Sequence, residues 1–182
     1  CSGLVGSEMC IRDRLQGEGD WRMRRLNQAI EGQFEDQAFV LFDCPSDSGL
    51  LAVNAIFAAD ELLIPVTGEA ESLNGALKAL VALKRLQPYI SHPVTARMVL
   101  NRITPRDKSC REVQEKVQQH FPDALLQSAI REGAAIAEST GVGRTIFEYK
   151  AASHSAREFK QLASELLALS EVEKSPVPQG KE

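Results

Sequence analysis

The chain has 182 residues, of which 43% are hydrophobic and 25% are charged, and its net charge at neutral pH is -4. This length and composition suit one globular domain with a buried core and are short for two domains. The acidic balance excludes a protein held to nucleic acid or to an anionic membrane by bulk charge, so any such contact must be local. The apolar stretches are much shorter than the roughly 20 residues that a transmembrane helix requires.

The cysteines and the two ends of the chain do not contribute to the predicted fold. Cys1, Cys10, Cys44 and Cys110 are scattered without a C-x-x-C spacing, which predicts reduced thiols in the cytoplasm and neither a disulfide nor a zinc site. Residues 1–14 resemble translated sequencing-adapter read-through, so we expect them to be non-native; a native loop is the alternative. We expect the native domain to cover residues 15–171 and a disordered tail to cover 172–182.

Predicted helices and strands alternate along the chain. Apolar residues at helical spacing predict helices, and short apolar runs bounded by polar or turn residues predict buried strands. In chain order we predict a helix from about residue 21, a strand over 38–42, a helix over 50–59, a strand over 61–66, a helix that Ser72 caps and that stops before Pro88, a strand over 94–100 that ends at Asn101, a helix around 113–121, a strand over 125–130 and a last helix around 159–169.

The predicted strands are apolar throughout, and helices separate them. This arrangement is typical of a parallel sheet covered on both faces, so we predict an α/β, doubly wound fold with a mostly parallel sheet flanked by helices. Ligands of such sheets bind beyond the carboxyl ends of the strands. The polar residues that follow the predicted strands, such as Asp43 and Asn101, are therefore the first candidates for a functional site.

One strand end carries the strongest motif, Phe-Val-Leu-Phe-Asp-Cys-Pro at residues 39–45. Its apolar residues would bury a strand and deliver Asp43 to the open end of that strand, which is the Walker B arrangement. In a P-loop NTPase this carboxylate helps to hold the Mg²⁺ that bridges the β- and γ-phosphates, usually through water. Taken alone the pattern is weak, because a strand that ends in Asp is often followed only by a turn or a helix cap.

A longer pattern surrounds this motif. It comprises a strand ending Asp-Cys-Pro, a Gly-Leu-Leu helix that carries Asn-Ala, an Ala-Ala-Asp, a strand closing Ile-Pro-Val, the strand VLNRI and the closing TIFEYKAASHSAREFKQLASELL. Over about residues 21–169 the chain resembles the ParA/MinD-type family of P-loop ATPases, most closely the ParA-like partition ATPases. The resemblance implies a SIMIBI-like P-loop NTPase fold with ATP and Mg²⁺ as ligands.

The resemblance also implies roles for particular residues. Asp43 matches the Walker B carboxylate, and residues 45–49 match the second switch segment. The residues expected to lie at the nucleotide are Pro45, Gly49, Asn101, Arg102 and Arg131. Asn101 matches the strand-end Asn that reads the edge of adenine, where an amide can both donate and accept. The alternative is that Asn101 only caps the turn before Thr104-Pro105.

Several departures from the family pattern are visible. No G-x-x-x-x-G-K-[ST] motif is present, so we expect an N-terminally truncated fragment without the first strand, the P-loop and the first switch, inactive as an ATPase. Residues 141–145, Gly-Val-Gly-Arg-Thr, carry Arg where the P-loop needs Lys, and we interpret them as a turn before an edge strand. Residues 130–132 read Ile-Arg-Glu where chromosomal ParA proteins have Ile-Pro-Arg, which argues against DNA binding.

A basic stretch contains the candidates for contact with DNA, namely Arg106, Lys108 and Arg111. Phosphate contacts of this kind would make binding depend on salt. A solvated helix face is the alternative, because acidic residues are interleaved with the basic ones. Membrane attachment would need a basic amphipathic C-terminal helix, and the acidic Glu-Val-Glu-Lys of the tail does not provide one, so no membrane contact is expected.

Three functional hypotheses follow. The first is a ParA/MinD-like ATPase that binds Mg-ATP, forms an ATP-dependent homodimer and hydrolyses ATP slowly to position or partition a cargo such as a plasmid, a chromosome or a protein complex. A ParB-type or adaptor protein would be its partner. The second is a non-catalytic accessory or scaffold protein of the same fold. The third is an ATP-dependent metabolic enzyme of the same P-loop group.

Overall fold

The structure, a computed structural model, describes residues 20–45 and 49–174. The predicted read-through segment, residues 46–48 of the switch segment and most of the predicted tail lie outside these ranges. Contacts divide the chain into two compact units, one formed by Cys1–Leu62 with Gly75–Ala96 and the other by Leu63–Asn74 with Arg97–Glu182. We refer to them as unit one and unit two.

Helices and strands alternate through the described residues. The α-helices are α1 (Arg25–Ile30), α2 (Leu50–Ala58), α3 (Ala70–Leu86), α4 (Lys108–His120), α5 (Ala134–Gly141), α6 (Ile146–Lys150) and α7 (His154–Lys174), the strands are β1 (Glu61–Val66), β2 (Thr95–Ile103) and β3 (Leu125–Arg131), and short 3-10 helices cover Asp20–Arg24 and Gln87–Tyr89. The strands form one sheet in the order β1-β2-β3, and β2 and β3 are parallel. The predicted α/β class, a parallel sheet flanked by helices, is confirmed.

The pairing of β2 with β3 is irregular at two places. Met98 pairs with Leu125 and Leu100 with Ala129, so two residues of advance along β2 are matched by four along β3. The extra residues of β3 form a bulge between these pairs. A second irregularity lies between Leu100 and Ile103, and Arg102 within it has a φ of 52°.

Each unit has its own apolar cluster. In unit one, Ile56 of α2 and Leu83 of α3 are buried together with Val94. In unit two, Leu100 and Ile103 of β2 are buried against Cys110 of α4. The loop residue Asp107 caps α4, and its carboxylate accepts a hydrogen bond from the Ser109 N–H at 2.9 Å. This cap lies four residues after Ile103, the last residue of β2, and sets the start of α4.

The prediction of a strand over 38–42 was wrong. Residues 39–45 form no strand, and the side chain of Leu41 is 92% exposed. An apolar run supplies only the composition of a strand, whereas the strand itself requires a neighbour that accepts and donates its backbone hydrogen bonds. Within the ranges that the structure describes, no strand pairs with this segment. The run therefore has no regular structure and is largely exposed.

Other predicted boundaries also shift. Helix α3 begins at Ala70, so Ser72 lies within its first turn, where its Oγ accepts the Thr67 N–H at 2.9 Å. Strand β2 continues through Asn101 to Ile103. Helix α7 runs to Lys174, three residues into the predicted tail. Strand β2 and helix α7 thus continue past the polar residues at which their ends were predicted.

The turn at 141–145 leads into helix α6, so the predicted edge strand after it was wrong. Thr145 and Glu148 form a capping box, in which the Thr145 Oγ1 accepts the Glu148 N–H at 3.2 Å and the Glu148 carboxylate accepts the Thr145 N–H at 2.9 Å. The spacing Thr-x-x-Glu is the sequence signal for this motif.

We expect Thr145→Ala to lower the free energy of unfolding by about 0.5–2 kcal/mol, because it removes the acceptor that caps α6. Thr140→Ala is the matched control, since the Thr140 hydroxyl only donates back to the Ile136 carbonyl at 3.0 Å. Urea denaturation of both variants measures the difference. Equal stability of the two variants would contradict a role for the capping box.

Candidate functional site

Unit two contains a cleft of about 490 Å³ beside the carboxyl ends of the strands. The chain after β1, the end of β2, the first turns of α4 and the chain after β3 enclose it. Its lining is mixed in charge and consists of Thr67, Gly68, Glu69, Ala70, Arg102, Thr104, Asp107, Ser109, Cys110, Glu112, Val113, Lys116 and Glu132. The position agrees with the rule that ligands of parallel sheets bind beyond the strand ends.

Arg102 and Glu132 are two of the charged residues that line this cleft, and their side chains contact each other. The Arg102 Nη2 lies 3.4 Å from the Glu132 Oε1, and the Thr104 hydroxyl donates to the Glu132 Oε2 at 3.3 Å. Both charged side chains are more than half exposed, so the pair contributes little to stability. Of the residues predicted to lie at a nucleotide, Arg102 is the one that lines the cleft.

Asn101 is half-buried at the end of β2, and its Oδ1 accepts a hydrogen bond from the Arg102 N–H at 3.0 Å. This local bond supports the backbone where Arg102 adopts its positive φ. It agrees with the alternative in which Asn101 stabilises the turn. The predicted contact of Asn101 with adenine stays a prediction.

Arg131 is held by helix α7. Its Nε lies 2.5 Å from the Oε1 of Glu158, a buried carboxylate that also accepts the Arg131 N–H at 3.1 Å. The Nη2 of Arg131 contacts the ring of His154, whose Nδ1 lies 3.5 Å from the same Glu158 oxygen. The guanidinium of Arg131 thus has partners within the protein, and it does not line the cleft. Its predicted role at a nucleotide is not tested by this arrangement.

Asp43, Pro45 and Gly49 belong to unit one. Asp43 is exposed and lies in a chain of no regular structure, whereas Pro45 and Gly49 are half-buried. Partial burial, together with the negative charge of Asp43, raises the pKa of the Cys44 thiol. The thiol is therefore kept protonated and is a poor nucleophile.

The described residues contain no group of three or more His, Cys, Asp or Glu side chains that could hold a metal ion. A Mg²⁺ ion bound by one carboxylate, with phosphates and water as its other ligands, does not need such a group. The exposed carboxylate of Asp43 fits that mode of binding, and its role as a ligand stays a prediction.

Arg106, Lys108 and Arg111, the candidates for contact with DNA, are all exposed around the start of α4. Lys108 pairs with Glu112 at 3.4 Å, and the acidic Asp107 lies between Arg106 and Lys108. This mixture of charges favours the alternative of a solvated helix face. Elsewhere, none of the helices within 20–45 and 49–174 is both long enough and apolar enough to span a bilayer.

Two structural contacts were missed by the sequence analysis. The loop after β1 passes so close to α4 that a Cβ atom added to Gly68 would overlap the Sγ of Cys110. Asn54 is buried in α2. Its side-chain amide accepts a hydrogen bond from the Leu26 N–H and donates to the Arg22 and Leu50 carbonyls. Asn54 could have been found as the one polar residue in the apolar run Leu-Leu-Ala-Val-Asn-Ala-Ile-Phe, whereas Gly68 carries no comparable signal.

Comparison with known proteins gives the family. The family model described as AAA domain (AAA_31) matches residues 5–95, half of the chain. Its match begins inside residues 1–14, whose foreign origin stays a prediction. The chain is 27% identical over 149 residues to the cell division protein PomZ of Myxococcus xanthus, covering 81% of this chain and 46% of that protein. It is 28% identical over 145 residues to the sporulation initiation inhibitor protein Soj of Bacillus subtilis, covering 79% and 57%.

Among solved structures, the cell division ATPase MinD of Pyrococcus furiosus is 29% identical, with a TM-score of 0.65, 81% of this chain covered and 59% of that one. Other proteins of this fold were solved with ATP, or with ADP and magnesium. The chain spans about half the length of the curated relatives it matches. The family match, the likeness to MinD and the parallel sheet agree with one another. The chain belongs to the ParA/MinD-type family of P-loop ATPases.

Proposed function

We propose that the protein containing this chain is a cytoplasmic positioning ATPase. It binds Mg-ATP, forms an ATP-dependent homodimer and hydrolyses ATP slowly, so that its bound and free states alternate on a cellular surface. The observation that carries the proposal is the family match, since several matched relatives are named for cell division or chromosome partitioning. The cargo would be a plasmid, a chromosome or a protein complex, presented by a ParB-type or adaptor partner.

In this proposal Asp43 and Asn101 have separate tasks. Asp43, which is exposed to solvent, binds the magnesium ion through water near the phosphates. Asn101 contacts the base, and Arg102, the next residue, lines the cleft. Pro45, Gly49 and Arg131 are each proposed to contact the nucleotide. We do not extend the proposal to DNA, because acidic residues interrupt the basic residues around the start of α4.

The 182-residue chain alone is proposed to be inactive. Phosphoryl transfer in this enzyme group relies on backbone N–H groups and a Lys around the β- and γ-phosphates. The sequence contains no G-x-x-x-x-G-K-[ST] motif, and Asp43 cannot replace that motif. Magnesium-dependent ATP turnover by the purified chain, abolished by Asp43→Ala, would contradict this part of the proposal.

The activity is tested in the longest natural reading frame that contains the chain. Asp43→Ala should abolish magnesium-dependent hydrolysis and weaken ATP binding much less, because the carboxylate acts at the metal. Asp36→Ala is the matched control, since Asp36 is an exposed carboxylate of the same unit. The proposed ATPase is wrong if this longer protein hydrolyses no ATP, or if Asp43→Ala leaves hydrolysis unchanged.

The role of Asn101 is tested by nucleotide affinity in the same longer protein. Asn101→Ala should remove hydrogen bonds to adenine worth roughly 0.5–1.5 kcal/mol each, so that ATP affinity and the preference for ATP over GTP fall together. Gln118→Ala, an exposed amide on α4, is the control. If a stably folded Asn101→Ala protein keeps its selectivity, then Asn101 only stabilises the turn through its bond to the Arg102 N–H.

A further inference from the structure

Strand β3 forms one edge of the described sheet. The side of β3 that faces away from β2 therefore lacks a neighbouring strand, and its backbone N–H groups need other partners. Edges of this kind can pair with a strand of another molecule.

Two carboxylates of helix α7 accept three backbone N–H groups of β3. The Glu165 Oε1 accepts the Gln127 N–H at 2.7 Å, and the Glu165 Oε2 accepts the Ser128 N–H at 2.8 Å. Further along the strand, Glu158 accepts the Arg131 N–H at 3.1 Å. Each of these bonds involves an ionisable acceptor and a backbone donor, the class of hydrogen bond that is strongest in proteins.

The bulge in β3 explains why one carboxylate can take two consecutive donors. In a regular strand the N–H groups of neighbouring residues point to opposite sides. The extra residues between Leu125 and Ala129 break this alternation, and Gln127 and Ser128 both donate toward α7. Each oxygen of Glu165 accepts one of these two donors, in the same two-pronged arrangement in which a carboxylate binds two N–H groups of an arginine.

The spacing along the helix matches the spacing along the strand. Glu158 and Glu165 are seven residues apart, two helical turns on one face, or roughly 10 Å along the axis. Their donors, Ser128 and Arg131, are three residues apart, which is also roughly 10 Å of strand. The helix thus places one carboxylate at the bulge and the other at the carboxyl end of β3.

Both carboxylates are suited to accept backbone N–H groups of β3. Glu158 is buried and is also paired with the Arg131 guanidinium. For Glu165, desolvation acts to raise the pKa, but hydrogen bonds from Ser128 and Gln127, aided by the charge of Arg97, set it below its usual value. Glu165 is therefore ionised at neutral pH and cannot itself donate a proton to a backbone carbonyl.

We propose that Glu158 and Glu165 close the outer edge of β3 against the addition of another strand. They satisfy three donors with groups that offer no further backbone ladder, so a second copy of the chain finds the Gln127, Ser128 and Arg131 N–H groups already bonded. When the carboxylates are removed, the same edge on two molecules can pair about a twofold axis, because each copy presents identical donors and acceptors. The inference concerns self-association and is independent of nucleotide binding.

The test compares the self-association of the 182-residue wild type, Glu165→Gln and Glu165→Ala by analytical ultracentrifugation over a range of concentrations without nucleotide. Glutamine can accept one of the two N–H groups but presents its own donors to the other, so the edge opens with little change in side-chain volume. We expect the dissociation constant for self-association of both variants to be at least roughly tenfold lower than that of wild type. A tenfold change corresponds to about 1.4 kcal/mol of association free energy. Glu115→Gln, an exposed carboxylate on α4, is the control and should behave as wild type.

A second variant separates edge pairing from general unfolding. Adding Gln127→Pro to Glu165→Gln removes a backbone donor at the edge and places a residue there that blocks strand addition. Association through β3 should then return to the wild-type level, whereas association through unfolded chains should persist or increase. The proposal is overturned if folded Glu165→Gln, checked by circular dichroism, associates no more than wild type, or if Gln127→Pro does not reverse its association.

Discussion

Replacing Gly68 by Ala should lower the free energy of unfolding by about 1–3 kcal/mol or more, the usual cost of overpacking a close contact. The new Cβ would overlap the Sγ of Cys110 and lie 2.9 Å from the Cys110 Cα. A flexible side chain could move aside, but the Cα belongs to the backbone of α4. The loop after β1 or the helix must therefore shift, and both line the cleft. Urea denaturation with matched m-values measures the change.

Gly75 provides the matched control for Gly68. It lies within α3, and a Cβ added there meets nothing within 4 Å. Gly75→Ala should therefore raise the free energy of unfolding by about 0.5–1 kcal/mol, since Ala loses less conformational entropy than Gly in a helix. If the two variants change stability by the same amount and in the same direction, the close approach of the loop to Cys110 is not what constrains residue 68.

Met98→Ala should cost about 2–5 kcal/mol of the free energy of unfolding, because it leaves a cavity among side chains that can only partly collapse. Met98 lies in β2 and has no exposed surface. Met98→Leu keeps nearly the same volume and should cost less than about 1.5 kcal/mol. Chemical denaturation of both variants gives the comparison, and a loss of less than about 1 kcal/mol for Met98→Ala would show that the site refills.

Local sequence patterns predicted the bounds of some elements correctly. Strand β1 begins and ends at the predicted residues, and α3 ends before Pro88 as expected. The run Phe39–Phe42 has the same apolar character as β1 and still forms no strand. Both segments are mainly apolar, and what differs is the presence of a pairing partner in the described structure, which the sequence of a single segment cannot specify.

The candidate site was predictable to a smaller extent. Because polar residues at strand ends gather beside one edge of a parallel sheet, the position of Arg102 at the cleft could be expected. The partners of Arg131 could not, since Glu158 follows it by 27 residues and its position depends on how α7 packs. The bulge that turns two N–H groups of β3 toward Glu165 is likewise a product of tertiary pairing and not of residue type.

The buried amide of Asn54 has a consequence for hydrogen exchange. Helix α1 has only six residues, too few to protect its amides by itself. Yet the Leu26 N–H is bonded at 3.2 Å to the Oδ1 of Asn54, and the Asn54 Nδ2 donates to the Arg22 carbonyl at 2.8 Å. The exchange rate of the Leu26 amide should therefore report the opening of a contact with α2, 28 residues away in sequence. Helices α1 and α2 should thus open as one cooperative unit on the exchange timescale, although each is short when considered alone.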